Sequence, residues 1–251
     1  MEIHFLGTNG WFDTKVGETP CILIDAKEAY IILDAGNSFR KVDKHIKDTK
    51  KPIYLFLSHF HLDHTNGLHI LLKFNFTQGL TIFGQPGTKD ILDKLIAKPF
   101  SSPLTLVNKK FPIRVKDLTE GKHTIGDLVF ECKPLVHADP CFGYSFFLEG
   151  KKVTYCTDTG TCDNLVDLAS NSDVFITECS WKKQNQYPSW PHLAPEDAAE
   201  AAKKADVKKL FLTHFVPTEY PNIKDRKDAE KRARKTFPNT IAARDDLIVR
   251  V

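Results

Sequence analysis

The chain has 251 residues, 41% hydrophobic and 27% charged, which is globular usage and excludes wholesale disorder, a collagen-like repeat and a coiled coil. Lys and Arg number 35 against 32 Asp and Glu, and the formal charge of +3 is too small to assign a nucleic-acid partner on bulk electrostatics. No apolar run approaches the roughly 18 residues of a membrane span, and the opening Met1-Glu-Ile-His-Phe-Leu-Gly-Thr8 carries no basic leader, so no membrane partner and a cytoplasmic location are expected.

Short β-branched or aromatic runs, each stopped by Gly, Pro, Asn or Asp, predict strands at 3–6, 21–24, 30–33, 53–57, 80–83, 128–136, 144–148, 153–156, 174–176 and 210–212. Apolar spacings of three and four predict helices at 39–46, 67–74, 88–97, 195–205 and 225–235. Pro195 followed by Glu196 and Asp197 makes a good first turn, since Pro needs no amide partner there and the carboxylates face the positive helix end. Strands outnumber helices and helices fall in both halves, so two sheets face to face with helices outside is the economical arrangement. No Gly/Ser linker or repeat divides the chain, and residues 1–251 read as one domain. Segments 98–112 and 182–191 read as long irregular loops of the kind that border binding sites. Six cysteines without a C-x-x-C pair read as reduced, mostly buried thiols.

After the run Ile53-Tyr-Leu-Phe-Leu57 comes Ser58-His59-Phe-His61-Leu-Asp63-His64, three imidazoles and a carboxylate within six residues. With ten histidines in the chain, a given three-histidine pattern arises by chance in about one window in 16,000. A divalent ion explains the cluster, because imidazole nitrogens and carboxylates are the ligands zinc and related ions take, and a loop leaving a rigid strand aims several of them inward. Three further donors stand just beyond apolar runs: His137 after Leu135-Val136, Asp158 after Val153-Thr-Tyr-Cys-Thr157, and His214 after Leu210-Phe-Leu-Thr213. One sheet edge could present all of them to a common point.

Ser-His59-x-His61-x-Asp63-His64, followed in order by His137, Thr-Asp158-Thr-Gly and Leu-Thr-His214, resembles the metallo-β-lactamase superfamily over nearly the whole chain. Within it, His192-Leu-Ala-Pro-Glu-Asp-Ala-Ala-Glu-Ala-Ala is similar to the ribonuclease Z branch and its phosphodiesterase relatives. The resemblance implies an α+β fold, an αββα four-layer sandwich, with two divalent metal ions. Zinc comes first among these, and manganese and iron are the other ions such donors admit. It implies His59, His61 and His137 around the first metal, Asp63, His64 and His214 around the second, and Asp158 bridging them. Two such ions can share a water and lower its pKa towards 7, supplying hydroxide at neutral pH. It further implies His192 as a donor to a phosphoryl oxygen or to the leaving group, Glu178 as the carboxylate that orients His192, and Asp34 as a residue that orients a ligand or the turn.

The expected activity is therefore a metal-dependent hydrolase, with a small or cyclic phosphodiester or nucleotide as substrate. A ribonuclease Z-like RNA endonuclease and a lactone or thioester hydrolase stand as alternatives, and a non-catalytic nucleic-acid module as a third. The loop Gly7 to Pro20 lacks the arginine and asparagine of the ribonuclease Z branch, Thr177 stands where that branch has histidine, and no Gly/Pro-rich arm is inserted between Asp158 and His192 or ahead of His137. These departures favour the small substrate over RNA and leave a homodimer open. The remaining histidines, His4, His45, His69 and His123, read as packing or surface residues, and 224–235 reads as a solvated helix face.

Overall fold

The computed structural model describes residues 1–251. Fourteen strands form two seven-stranded sheets, one ordered β14-β1-β2-β3-β4-β5-β6 and the other β13-β12-β11-β10-β9-β8-β7. The first sheet holds β1 (Glu2–Gly7), β2 (Cys21–Asp25), β3 (Tyr30–Leu33), β4 (Ile53–Phe56), β5 (Leu80–Gly84), β6 (Ile113–Asp117) and β14 (Leu247–Arg250). The second holds β7 (Gly121–Ile125), β8 (Leu128–Leu135), β9 (Cys141–Leu148), β10 (Lys151–Cys156), β11 (Val174–Glu178), β12 (Leu210–Thr213) and β13 (Thr240–Ala242). In each sheet one half is antiparallel and the other parallel.

Side chains alternate along a strand, so one strand serves two cores. In β2, Ile22 and Ile24 enter the core between the sheets, while Leu23 enters the core beneath the outer helices. Both faces are buried, which is why this strand reads as an unbroken apolar run. The inter-sheet core is aromatic: Phe56 meets Phe83, Phe130, Tyr144 and Phe146 at ring separations of 4.9, 4.9, 5.2 and 4.9 Å. Outside the first sheet lie two 3-10 segments (Asn37–Lys44 and Asn66–Lys73), α1 (Leu62–Thr65), α2 (Thr88–Leu95) and α3 (Leu104–Val107). Outside the second lie α4 (Asp163–Ala169), α5 (Pro195–Lys204) and α6 (Ile223–Ala233). Ala198, Ala199 and Ala202 of α5 are fully buried, so the helix approaches its sheet closely.

The expected αββα sandwich is therefore the observed fold. Every expected strand forms, with ends shifted by a few residues. Edge strands β6, β7, β13 and β14 were not predicted, because their apolar positions are sparse and mostly half-exposed. Segment 98–112, expected to be wholly irregular, contains the single turn of α3. The helix expected at 39–46 and most of that at 67–74 are 3-10 rather than α. All six cysteines are free, and five are buried. Arg226 departs from the solvated face expected of α6, being 2% exposed.

Candidate metal centre

The donors gather where strands end. Asp34 follows β3, His59 lies three residues beyond β4, His137 and Asp158 lie two beyond β8 and β10, Glu178 closes β11, and His214 follows β12. Strand pairing runs on after β4, with Leu57 N–H donating to Phe83 O, so the histidine turn leaves a fixed base. The turn then tightens into α1, which exposes Leu62 and buries His64 completely. Asp34, Asp158 and His214 all have positive φ, of 58°, 54° and 53°. This strained conformation, which costs on the order of 1 kcal/mol or more each, turns the chain sharply at the strand end. Gly10 is required beside His214, since a Cβ there would run into the imidazole ring.

All seven expected donors converge. His61 Nδ1 lies 3.4 Å from His137 Nε2. Asp158 Oδ2 lies 3.8 Å from His59 Nε2 and 3.9 Å from His137 Nε2. The other oxygen of the same carboxylate, Oδ1, lies 3.3 Å from His64 Nε2 and 3.2 Å from His214 Nε2. Asp63 Oδ2 closes the second group at 3.4 Å from His64 Nε2 and 3.3 Å from His214 Nε2. Within each of the sets His59, His61, His137, Asp158 and Asp63, His64, His214, one donor atom per residue falls within 4.8 Å of every other. His192 forms a third such set with Asp158 and His214.

The outward nitrogens of four of the five imidazoles are already committed, while that of His137 is buried without a partner. His59 Nδ1 donates to Ser58 Oγ at 3.0 Å, His61 Nε2 to Asp139 Oδ2 at 2.8 Å, His64 Nδ1 to Asp34 Oδ2 at 2.8 Å and His214 Nδ1 to Ser180 Oγ at 3.0 Å. Each such bond orients the ring with its other nitrogen towards the cluster, so that this nitrogen could bind an ion once it gives up any proton, the preparation that metal-binding imidazoles receive. His59 Nε2 is buried without any hydrogen-bond partner, and buried polar atoms are left so only where something else satisfies them. The donor set therefore fits divalent ions. Asp34 is the hub behind it, since Oδ2 also accepts from Ser58 Oγ at 2.9 Å and Tyr155 Oη at 2.7 Å, and Oδ1 accepts from Ser58 N–H at 2.7 Å. Asp139, Ser180 and Tyr155 escaped the sequence reading. Asp139 had a weak signal in its place two residues after His137, whereas Ser180 and Tyr155 had none.

Charge points the same way. Burial, with His64, His61 and His137 around it, holds His59 well below the usual imidazole value, so it is neutral. Burial opposes the charge of Asp63 and Asp158, but His64 and His214 outweigh it and hold both carboxyls well below the usual range. Burial likewise opposes a proton on His64, yet Asp158, Asp63 and Asp34 raise its pKa well above the ordinary value. In the bare protein that proton answers a surplus of buried negative charge that a cation would otherwise neutralise. His192 Nδ1 donates to Glu178 Oε1 at 2.7 Å. Although burial works against it, Glu178 raises His192 to about 9. Glu178 is fully buried and also accepts from the Thr159 and Ser180 amides, at 2.6 and 3.2 Å.

A cavity of about 350 Å³ opens over these groups, lined by His61, Asp63, Asp158, His192 and His214 together with Trp11, Trp181, Trp190 and Val216.

Comparison with known proteins agrees with this geometry. The chain is 25% identical to ribonuclease Z of Bacillus subtilis (strain 168) over 312 aligned positions, covering 100% of this chain and 99% of that protein. Its fold matches the metallo-β-lactamase fold protein YhfI of Bacillus subtilis with a TM-score of 0.79 at 19% identity, over 99% and 98% of the two chains. It matches the short form of human tRNase Z with a TM-score of 0.76 at 20% identity, over 100% and 99%. The family described as the beta-lactamase superfamily domain matches residues 22–215, a span from β2 to just past His214 that takes in all seven donors. The chain thus belongs to the β-lactamase superfamily, as a metallohydrolase of the metallo-β-lactamase fold.

Proposed function

We propose that this protein hydrolyses a phosphodiester with two divalent ions, zinc first. His59, His61 and His137 would hold one ion, Asp63, His64 and His214 the other, with Asp158 common to both. The observation that carries the reading is the divided carboxylate of Asp158, whose two oxygens face different groups of imidazoles. Two ions so bound lower the pKa of water and offset charge on the oxygens that gain it.

The chain's own residues supply the rest. Asp63 is fixed by the Trp11 amide, which donates to Oδ2 at 2.7 Å, so its carboxylate faces the cavity in one orientation. His192 has Nδ1 committed to Glu178, which leaves Nε2 as the atom facing substrate. Glu178 raises that imidazole to about 9 in the metal-free protein, and in this reading His192 donates a proton to the departing oxygen and then regains it from solvent.

A small or cyclic phosphodiester suits the cavity, which is near the lower end of the size range for small-molecule sites and has no Lys or Arg in its lining. RNA carries one charge per residue and draws on basic side chains for affinity. Ribonuclease Z of Bacillus subtilis aligns over 312 positions with a chain of 251 residues, so at least 61 of those positions have no counterpart here. The second reading, an RNA endonuclease, is favoured by the name those relatives share.

The test is a substrate panel with the zinc-loaded protein: cyclic nucleotides, a precursor tRNA with a 3′ trailer, a lactone and a thioester. Turnover of cyclic nucleotides above the others is expected, and His64→Ala should abolish it while leaving the circular dichroism spectrum intact. Cleavage confined to the lactone or thioester overturns the reading, and cleavage confined to the tRNA replaces it with the second.

A further inference from the structure

All three tryptophans of the chain, Trp11, Trp181 and Trp190, line the one cavity over the donor cluster. Trp11 is 66% exposed and Trp190 45%, so both present apolar ring surface to a solute that enters the cavity. Each is held in place from behind. Trp11 has φ of 67°, a conformation unfavourable for a bulky residue, and its amide is tied to Asp63. Its loop is stapled by Asn9, whose side-chain amide donates to Phe12 O at 2.9 Å and Gly17 O at 2.7 Å, and Asn9 is gripped in turn by buried Arg226. Trp190 lies parallel to His61 at a ring separation of 5.7 Å and an interplanar angle of 6°, with its edge towards His137 at 5.8 Å. Its carbonyl accepts from Trp181 Nε1 at 3.3 Å, and Trp181 meets His192 edge-on at 5.3 Å.

Trp11 is therefore anchored at the second donor group and Trp190 at the first, with the shared Asp158 carboxylate common to both. We propose that Trp11 and Trp190 form an aromatic clamp that selects, among phosphodiesters, small nucleotides by stacking on the nucleobase. This rests on the phosphodiesterase reading above and names its substrate class. Stacking suits the site because every base has a flat π face, and indole offers a large rigid surface at small entropic cost. A cavity lined with indole and without Lys or Arg binds a single base and phosphate better than it binds a polyanion.

Two measurements on the zinc-loaded protein test the clamp. In the first, KM and kcat are compared for 2′,3′-cyclic AMP and base-free ribose 2,3-cyclic phosphate in wild type, Trp11→Ala, Trp190→Ala and Trp190→Phe. In either alanine variant KM for the nucleotide should rise about tenfold relative to KM for the base-free substrate, the size of one lost base stack, with Trp190→Phe largely rescued. Equal losses on both substrates would mean that Trp190 merely shields His61, and would overturn the proposal. The second measurement follows tryptophan fluorescence, since all three tryptophans line this cavity. Saturable quenching by AMP but not by ribose 5-phosphate, weakened about tenfold in Trp190→Ala, supports the clamp even if no phosphodiester is cleaved, so the two readings can fail separately. Absence of quenching by AMP overturns the clamp, as does a tryptophan effect confined to RNA.

Discussion

His192 shows how one buried pair sets a working state. Its pKa of about 9 lies above the ordinary 6.5, with Glu178 foremost among the groups that overcome burial, joined by Asp158 and Asp63. A group whose folded pKa is raised stabilises the fold fully below the unfolded value and loses that contribution as pH rises through the folded value. The metal-free protein should therefore lose on the order of 1 to 3 kcal/mol between pH 6.5 and 9, and His192→Gln should flatten that slope in urea titrations at several pH values. In the loaded enzyme, His192→Ala should lower kcat by about a hundredfold with KM little changed, as loss of a proton donor does. Asp139 acts one step further out, through His61. Asp139→Ala frees that ring to rotate and should weaken binding of one ion by about tenfold while sparing the other, which competition against a chromogenic chelator would resolve as a biphasic titration.

The loop between β1 and β2 depends on α6, which lies more than two hundred residues later in the chain. Arg226 reaches from α6 to Thr8 Oγ1 at 2.9 Å and to Asn9 Oδ1, and its guanidinium lies 4.8 Å from the centre of the Phe215 ring. Burial, countered by Asp245, pushes the Arg226 pKa down to about 10, so it remains charged at neutral pH and needs each of these partners. Arg226→Met keeps the length of the side chain but leaves Asn9 Oδ1 without its donor and removes a positive charge beside Asp245. It should cost about 2 to 4 kcal/mol, read as a lower melting temperature. Trp11 should become more mobile, visible as a fall in steady-state fluorescence anisotropy in a Trp181→Phe, Trp190→Phe background.

At the scale of the whole molecule the two sheets meet through the donor cluster as well as through the aromatic core. Asp34 and the histidine turn come from the first sheet, while His137, Asp158 and His214 come from the second. Ions bound between them would bridge the halves of the sandwich and stabilise the native state by mass action, by about 4 kcal/mol per site at a thousandfold excess over Kd. Chelation should lower the melting temperature by on the order of 10 °C, and added zinc should restore it. Asp158→Asn, with the shared charge removed, should lose most of that response in calorimetry. An unchanged melting temperature on chelation in the wild type would contradict a metal centre at the junction of the sheets.

The sequence by itself determined the pattern of the strands and pointed to the seven candidate donors, because short β-branched or aromatic runs and a dense His/Asp turn are local signals. His59 to His64 could be read directly. His137, Asp158 and His214 followed from their places just beyond apolar runs and from the resemblance that orders them. Only the tertiary structure decided which nitrogen of each imidazole faces inward, that Asp158 divides its oxygens between two groups, and that Asp139 and Ser180 stand behind the candidate donors. It also decided that tryptophans 170 and 179 residues apart from Trp11 share its cavity. The reason is physical: a side chain's partner across the sandwich is fixed by how the sheets stack and by turns with positive φ at the strand ends, and neither leaves a spacing in the chain.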